Sequence, residues 1–250
     1  LPICGIVLGA VDYLTKPLKP AIVLARVSAH IELKLARDRL QHVNESLEVE
    51  IARRMRENLT IQEVTIRALA RLAETRDNET GNHILRTQHY VHALALRASR
   101  HPRFAGELDE QTIALIAKSA PLHDIGKVGI PDRILLKPGK LTPEEFEVMK
   151  THTTLGRNAI EQAEQQLHME VPFLKIAKDI ALCHQEKWDG SGYPQALRGD
   201  AIPLSARLMA LADVYDALIS RRVYKAPMSH EQAAQIIRQG RGQHFDPDIT

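Results

Sequence analysis

The sequence predicts an all-α protein, on three observations. From residue 63 onward nearly every segment repeats its apolar residues three and four apart. No stretch alternates apolar and polar residues with period two for long enough to build a sheet. Helix-start signals recur, the clearest being Thr142-Pro143-Glu144-Glu145, which joins an N-cap Thr, a Pro at the first helical position and a capping-box Glu. With 250 residues, 44% apolar and 26% charged, the chain can bury a full core without disulfides or structural metal, which excludes disorder and small stapled scaffolds.

Residues 1–18 mix Gly5, Gly9, an apolar run and the turn Lys16-Pro17, and read as strand and loop. From about Pro20 to Leu59 the composition turns to Arg, Glu, Lys and Leu, with Leu33, Ala36, Leu40, Val43 and Leu47 forming a short heptad seam. The register then shifts by one, to Ile51, Met55 and Leu59. This linker helix fits either a short coiled coil or a single amphipathic helix packed on the next domain. Further helices are expected over Glu63–Arg76, His83–Ser99, Thr112–Ala120, Leu155–Gln166, Phe173–Gln185, Leu204–Ile219 and His230–Gln239, with the breaker-rich Asp77–Gly81 between the first two. The expected organisation is a first segment 1–25, a linker helix 26–62 and a helical domain 63–250.

A formal charge of +2 gives no electrostatic case for a nucleic acid polymer or a membrane surface. The apolar stretch Leu1–Val11 is about half the ~20 residues that span a bilayer. Cys4 and Cys183 are too few for a disulfide framework, so a reducing cytoplasm is expected. Without a starting Met, and with an abrupt end at His244–Thr250, the chain reads as a fragment at both ends.

The chemical signal lies in the histidines. Ile113, Ile116, Ala117 and Ala120 form a buried stripe whose spacing continues onto His123 and Asp124, so both should face inward. Alone, that pair is as compatible with a structural hydrogen bond as with a metal. On later helices His184 shares a face with Ala177, Ile180 and Ala181, while Asp213 lies among Ala206, Met209, Ala210 and Ala217, with Asp216 one turn on. His152 follows the Thr142-capped helix, and Glu79 and His83, four apart, can converge on one ion. Inward His83, His123, Asp124, His152, His184 and Asp213 make a mixed imidazole and carboxylate set that suits Fe, Mn, Ni or Zn. His89 and His92 point away from the His83 face, and His30, His42, His101, His168, His230 and His244 read as solvated or local hydrogen bonders. Cys183 has no second Cys in the domain and reads as a small buried hydrophobe.

The motifs His123-Asp124-Ile125-Gly126-Lys127, His184-Gln185-Glu186-Lys187-Trp188-Asp189-Gly190-Ser191-Gly192-Tyr193-Pro194 and Ala212-Asp213-Val214-Tyr215-Asp216-Ala217-Leu218 resemble an HD-GYP domain from about residue 63 to the end. The resemblance implies an HD-superfamily helical bundle and a metal-dependent phosphodiesterase acting on the bacterial second messenger cyclic di-GMP. It assigns His83, His123, Asp124, His152, His184 and Asp213 to two metals and Glu79 to a third. It gives Lys127, Arg222 and Lys225 to substrate phosphates, and Tyr193 with its loop to the substrate pocket. Asp124, Lys127 and Asp216 would carry the chemistry, with Asp216 or Lys127 assisting the leaving 3′ oxygen. Separately, Gly9–Pro17 resembles the end of a response-regulator receiver domain, which implies a cognate sensor kinase, and the coiled-coil alternative for the linker helix implies a homodimer through it. One position departs from the HD-GYP pattern: Gln185 stands where a second histidine is common, so two tightly held ions are expected and a third only weakly. Hydrolysis of cyclic di-GMP to pGpG, and onward to GMP, competes with two alternatives, a binding-only receptor and a hydrolase for another cyclic dinucleotide.

Overall fold

The structure, a computed structural model, describes residues 11–14, 16–76, 82–166, 170–220 and 227–250. Among these residues it is mostly helical and contains no strand, the one β-type pairing being an isolated bridge between Arg241 and Phe245. No described helix is long and apolar enough to cross a membrane. The strand expected in the first eighteen residues falls largely outside the described residues, and those described before Pro20 form bends and extended chain. Two compact units divide between Ile61 and Gln62.

Helix α1 (Pro20–Glu74) begins in the first unit and ends in the second. Its 55 residues run without interruption, about 80 Å of helix. The linker helix and the first domain helix are therefore one element. The reason is local: no Gly or Pro occurs between Ala21 and Glu74, and ion pairs bridge successive turns, Glu50 with Arg53 and Arg54, Arg53 with Glu57, and Glu63 with Arg67. In the first unit Asp12 accepts from Arg26 at 2.7 Å and pairs with His30 at 3.3 Å. The seam residues Leu33, Leu40, Val43, Leu47, Ile51, Met55 and Leu59 are all exposed.

In the second unit α2 (His83–Ala98), α3 (Glu110–Ser119), α4 (Asp132–Leu135), α5 (Pro143–Lys150), α6 (His152–Gln165), α7 (Pro172–Cys183), α8 (Leu204–Ile219) and α9 (His230–Gln239) follow in order. Asp109 caps α3 through the Thr112 amide, and α5 carries the complete Thr142 and Glu145 capping box. Helix α8 is central and packs against α2, α7 and α9; α3 packs on α2 and α7, and α6 on α7. Val91, Ile113, Ile116, Ile180, Leu208 and Met209 meet around Phe104 in one core cluster. Burying Leu208 and Met209 completely contributes roughly 1.5–3 kcal/mol each. Helix α8 buries Leu204, Leu208 and Leu211 on one side and Ala206, Met209 and Ala210 on the other. Its two acids differ in depth: Asp216 is fully buried, whereas the Asp213 side chain is 20% exposed.

The C-terminal segment is clamped by a buried carboxylate. Asp246 accepts from Arg207 at 2.5 Å and from Arg103 at 3.1 Å. Both guanidinium groups lie near the Trp188 ring, 5.7 and 5.3 Å from its centroid. Trp188 and Asp189 donate their amides to the carbonyls of His244 and Gln243, at 3.1 and 2.8 Å. The glycine-rich loop that begins at Trp188 is thus anchored at its base.

Candidate metal centre

Four helix ends and one helix middle build the site. Helix α3 stops at Ser119, a 3-10 turn carries the chain to His123, and Asp124 opens a second 3-10 turn, Ile125–Gly129. His83 is the first residue of α2, His152 the first of α6, and His184 caps α7 one residue past Cys183. Asp213 and Asp216 come from α8. Gly126 explains how residues 124 and 152 meet: a Cβ there would lie 1.9 Å from the His152 carbonyl oxygen and 2.5 Å from the Gly156 nitrogen. Only glycine lets the turn press its backbone onto α6.

The result is two ligand triads that share one carboxylate. His83, His123 and Asp124 form the first, and Asp124, His152 and His184 the second, with the ligand atoms of each within 4.8 Å of one another. Asp124 Oδ2 is 3.2 Å from His123 Nε2, while Oδ1 is 3.4 Å from His152 Nε2 and 3.6 Å from His184 Nε2. Asp213 Oδ1 lies 3.6 Å from His83 Nε2 and adds a carboxylate to the first triad. The last turns of α1 wall this side, where Ala70, Ala73 and Glu74 line a small cleft with His83 and His123.

The hydrogen bonds decide what these side chains can hold. Each histidine faces an acceptor-only oxygen with Nδ1: His83 meets Asp216 Oδ2 at 2.8 Å, His123 the Ala120 carbonyl at 2.9 Å, His152 the Met149 carbonyl at 2.8 Å and His184 the Ile180 carbonyl at 3.0 Å. An oxygen that can only accept requires Nδ1 to carry the proton, so in the neutral ring Nε2 keeps its lone pair. Those nitrogens then face each other in pairs, His83 with His123 and His152 with His184, each at 3.4 Å. Two lone pairs so placed repel unless an electrophile lies between or beside them. Asp124 Oδ1 is buried without a hydrogen-bond partner and aims at the same place. Imidazole nitrogens and a shared carboxylate in this arrangement fit a pair of divalent cations of the Fe, Mn, Ni or Zn type.

Electrostatics agree. Burial opposes a charge on His123, yet Asp124 and Asp213 push it up to about 9, so with no metal bound its Nε2 attracts a proton, and the same negative field would hold a metal cation in the proton's place. Burial drives His152 the other way, to about 4. Burial would raise Asp124, but Lys127 and His123 hold it well below the usual carboxylate range. Asp216 is likewise held at about 2, the cost of burial being outweighed by His83 and Arg86.

The other expected site residues lie around these triads. Asp216, expected to assist proton transfer, is surrounded by His83 Nδ1, Arg86 Nε at 2.6 Å and Ser220 Oγ at 3.2 Å. It orients a histidine. Lys127 Nζ lies 2.7 Å from Asp124 Oδ2 and so pairs with the shared carboxylate. Tyr193 stands beside the second triad, its ring 6.4 Å from that of His152. Gln185, past the end of α7, accepts the Tyr193 amide through its backbone carbonyl at 3.2 Å and belongs to neither triad. Glu79, Arg221, Arg222, Lys225 and His168 lie outside the described residues. His89 and His92 are exposed on α2, and Cys183 is buried, its thiol pushed up to about 12 by burial.

Sequence reasoning missed Glu186. Its carboxylate is buried and accepts the backbone amides of Gln195 at 2.7 Å and Leu197 at 3.0 Å, tying the loop back onto the end of α7. The available signal was a charged residue directly after an inward-facing helix end. Gly192 completes that fold-back, since a Cβ there would lie 2.3 Å from the Lys187 nitrogen.

A family model described as an HD domain matches residues 69–249. The chain belongs to the HD domain family. The matched span contains the His-Asp pair His123-Asp124, and the two triads join at Asp124. A protein named probable cyclic di-GMP phosphodiesterase from Vibrio cholerae is 57% identical over 98% of this chain and 56% of its own length. A second Vibrio cholerae protein, named cyclic di-GMP phosphodiesterase, is 60% identical over 76% of this chain and 39% of its own. The cyclic di-GMP phosphodiesterase response regulator RpfG of Xanthomonas campestris is 38% identical over 96% of this chain and 60% of its own. The chain thus spans roughly half the length of these relatives.

Proposed function

We propose that this HD domain is a metal-dependent phosphodiesterase of the HD-GYP type, opening cyclic di-GMP to pGpG and continuing to GMP. The observation that carries the reading is the carboxylate of Asp124 shared between two histidine triads. Divalent ions held there would supply Lewis acidity to a phosphodiester oxygen and acidity to a water. The protein's own groups do the rest. The Nδ1 hydrogen bonds keep four imidazoles in one tautomer and orientation, Asp216, itself held by Arg86, locks His83, and Lys127 pairs with Asp124 and is proposed as a partner of a substrate phosphate. Arg222 and Lys225 are proposed as further phosphate partners, and Tyr193 as a wall of the substrate pocket. The relatives' names support cyclic di-GMP as substrate.

Incubating the metal-loaded protein with cyclic di-GMP and resolving the products by chromatography tests this reading; unchanged substrate would refute it. Two ions per chain are proposed, because the two triads account for the ligands without Gln185. Elemental analysis should find two, and Gln185→His should raise occupancy of a third site with Glu79. A further part of the reading is regulatory: residues 1–25 as the end of a receiver domain answering a sensor kinase, which the likeness to a response regulator supports, in the cytoplasm, where isolated cysteines stay reduced. A second copy of the chain is proposed to cover the exposed seam of α1.

A further inference from the structure

Helix α5 is anomalous in the second unit because it buries none of its eight residues. It is instead held by its capping box and by Lys137, whose ammonium reaches Glu145 Oε2 at 2.5 Å. What it presents is an aromatic ring and a cation one turn apart. Phe146 is 45% exposed, an unusual position for phenylalanine on a helix that has no core to face. Its ring meets that of Tyr193 edge to face, with centroids 6.1 Å apart and planes at 82°. Lys150 Nζ lies over both rings, 5.4 Å from the Phe146 centroid and 5.7 Å from that of Tyr193. Glu147 holds that ammonium from the outer side at 2.6 Å. Tyr193 in turn stands against His152, so this wall borders the second ligand triad.

An aromatic ring half open to solvent beside the second ligand triad, with an ammonium over it, matches the chemistry of a purine base. Bases stack on aromatic side chains because every base has a π-face, and a lysine can donate to the O6 and N7 acceptors of guanine but meets a donor at N6 of adenine. We propose that Phe146, Lys150 and Tyr193 form the nucleobase subsite of this domain, with Phe146 stacking a guanine and Lys150 donating to its O6/N7 edge. The proposal rests on the phosphodiester reading above for the location of the phosphate. It adds the side chains that tell a guanine dinucleotide from a diester without a base and from its adenine counterpart.

Stacking of one base corresponds to about 5- to 150-fold in affinity. Phe146→Ala should therefore lower kcat/KM for cyclic di-GMP relative to methyl 4-nitrophenyl phosphate, which carries no base, by at least about fivefold, chiefly through KM. Phe146→Trp should restore the ratio, which a merely structural role of the ring would not predict. Lys150→Met should reduce the preference for cyclic di-GMP over cyclic di-AMP in the same assay. An unchanged ratio in Phe146→Ala would overturn the subsite. If the metal-loaded wild type cleaves neither diester, the hydrolase reading fails by itself, and the subsite is judged by calorimetric titration with cyclic di-GMP. There, equal affinity of wild type and Phe146→Ala, or no binding by wild type, overturns it, and weaker binding by the variant supports it.

Discussion

Asp124 is asked to do what no neutral side chain can, which is to present one oxygen to each of two histidine groups while keeping a negative charge in a buried place. Asp124→Asn keeps the shape but removes the charge and turns one acceptor into a donor facing a histidine. The expected outcome is loss of bound metal by elemental analysis and of diester hydrolysis, with helicity by circular dichroism unchanged; full activity in this variant would refute the two-metal reading. Asp216 acts one step further out, through His83. Asp216→Asn should lower metal affinity about 10- to 100-fold, the usual cost of losing a partner that orients a ligand. It also carries a pH signature. Its folded value of about 2 lies below the usual carboxylate value, so the stability it contributes is full above about pH 4 and is lost as pH falls toward 2. The stability gap between wild type and Asp216→Asn in urea should therefore narrow over that window.

Elements reach the site through close approach and buried charge. Gly126 brings the turn after Asp124 against the start of α6, with no room for even a methyl group against the His152 carbonyl. Gly126→Ala must push turn and helix apart, and should destabilise the fold by roughly 1–3 kcal/mol as an overpacking change and weaken the His152 and His184 triad more than the His83 triad. Chemical denaturation and metal stoichiometry check the two effects. At the far side, Asp246 neutralises Arg103 and Arg207 beneath Trp188. Asp246→Ala removes the buried carboxylate that binds both guanidinium groups, leaving Arg207 with Asp200 and Arg103 with Asp200 and Asp248, for an expected loss of about 1.5–3 kcal/mol by denaturation. The loop that carries Tyr193 should loosen with it.

At the scale of the whole molecule the long helix α1 presents apolar residues to water along much of its length. Exposed Leu40 and Leu47 are heptad partners, and in that register Glu32 of one parallel helix would stand opposite Arg37 of the other. Leu40→Asp with Leu47→Asp should therefore convert a dimer to a monomer by light scattering while leaving the melting of the second unit in place. A wild type that is monomeric at high concentration would rule out this use of the seam. Metal bound at the triads adds stability by mass action, so a chelator should lower the thermal midpoint, and Asp124→Asn should be insensitive to it.

Composition and periodicity by themselves determined the all-α class, most helix spans and the inward direction of His123 and His184, because apolar spacing along one helix is local information. They also left Cys183 as a buried hydrophobe and His89 and His92 on the outside. Three things were decided only by the tertiary structure. The continuity of α1 from Pro20 to Glu74 is one, because helices expected separately over the linker and over Glu63–Arg76 proved to be a single element. The deeper burial of Asp216 than of Asp213 depended on its meeting His83 and Arg86 of α2. The triads themselves and the meeting of Phe146 with Tyr193 each join residues far apart in sequence. Periodicity says which way a side chain points from its own helix; what it meets there is set by the packing of the other helices.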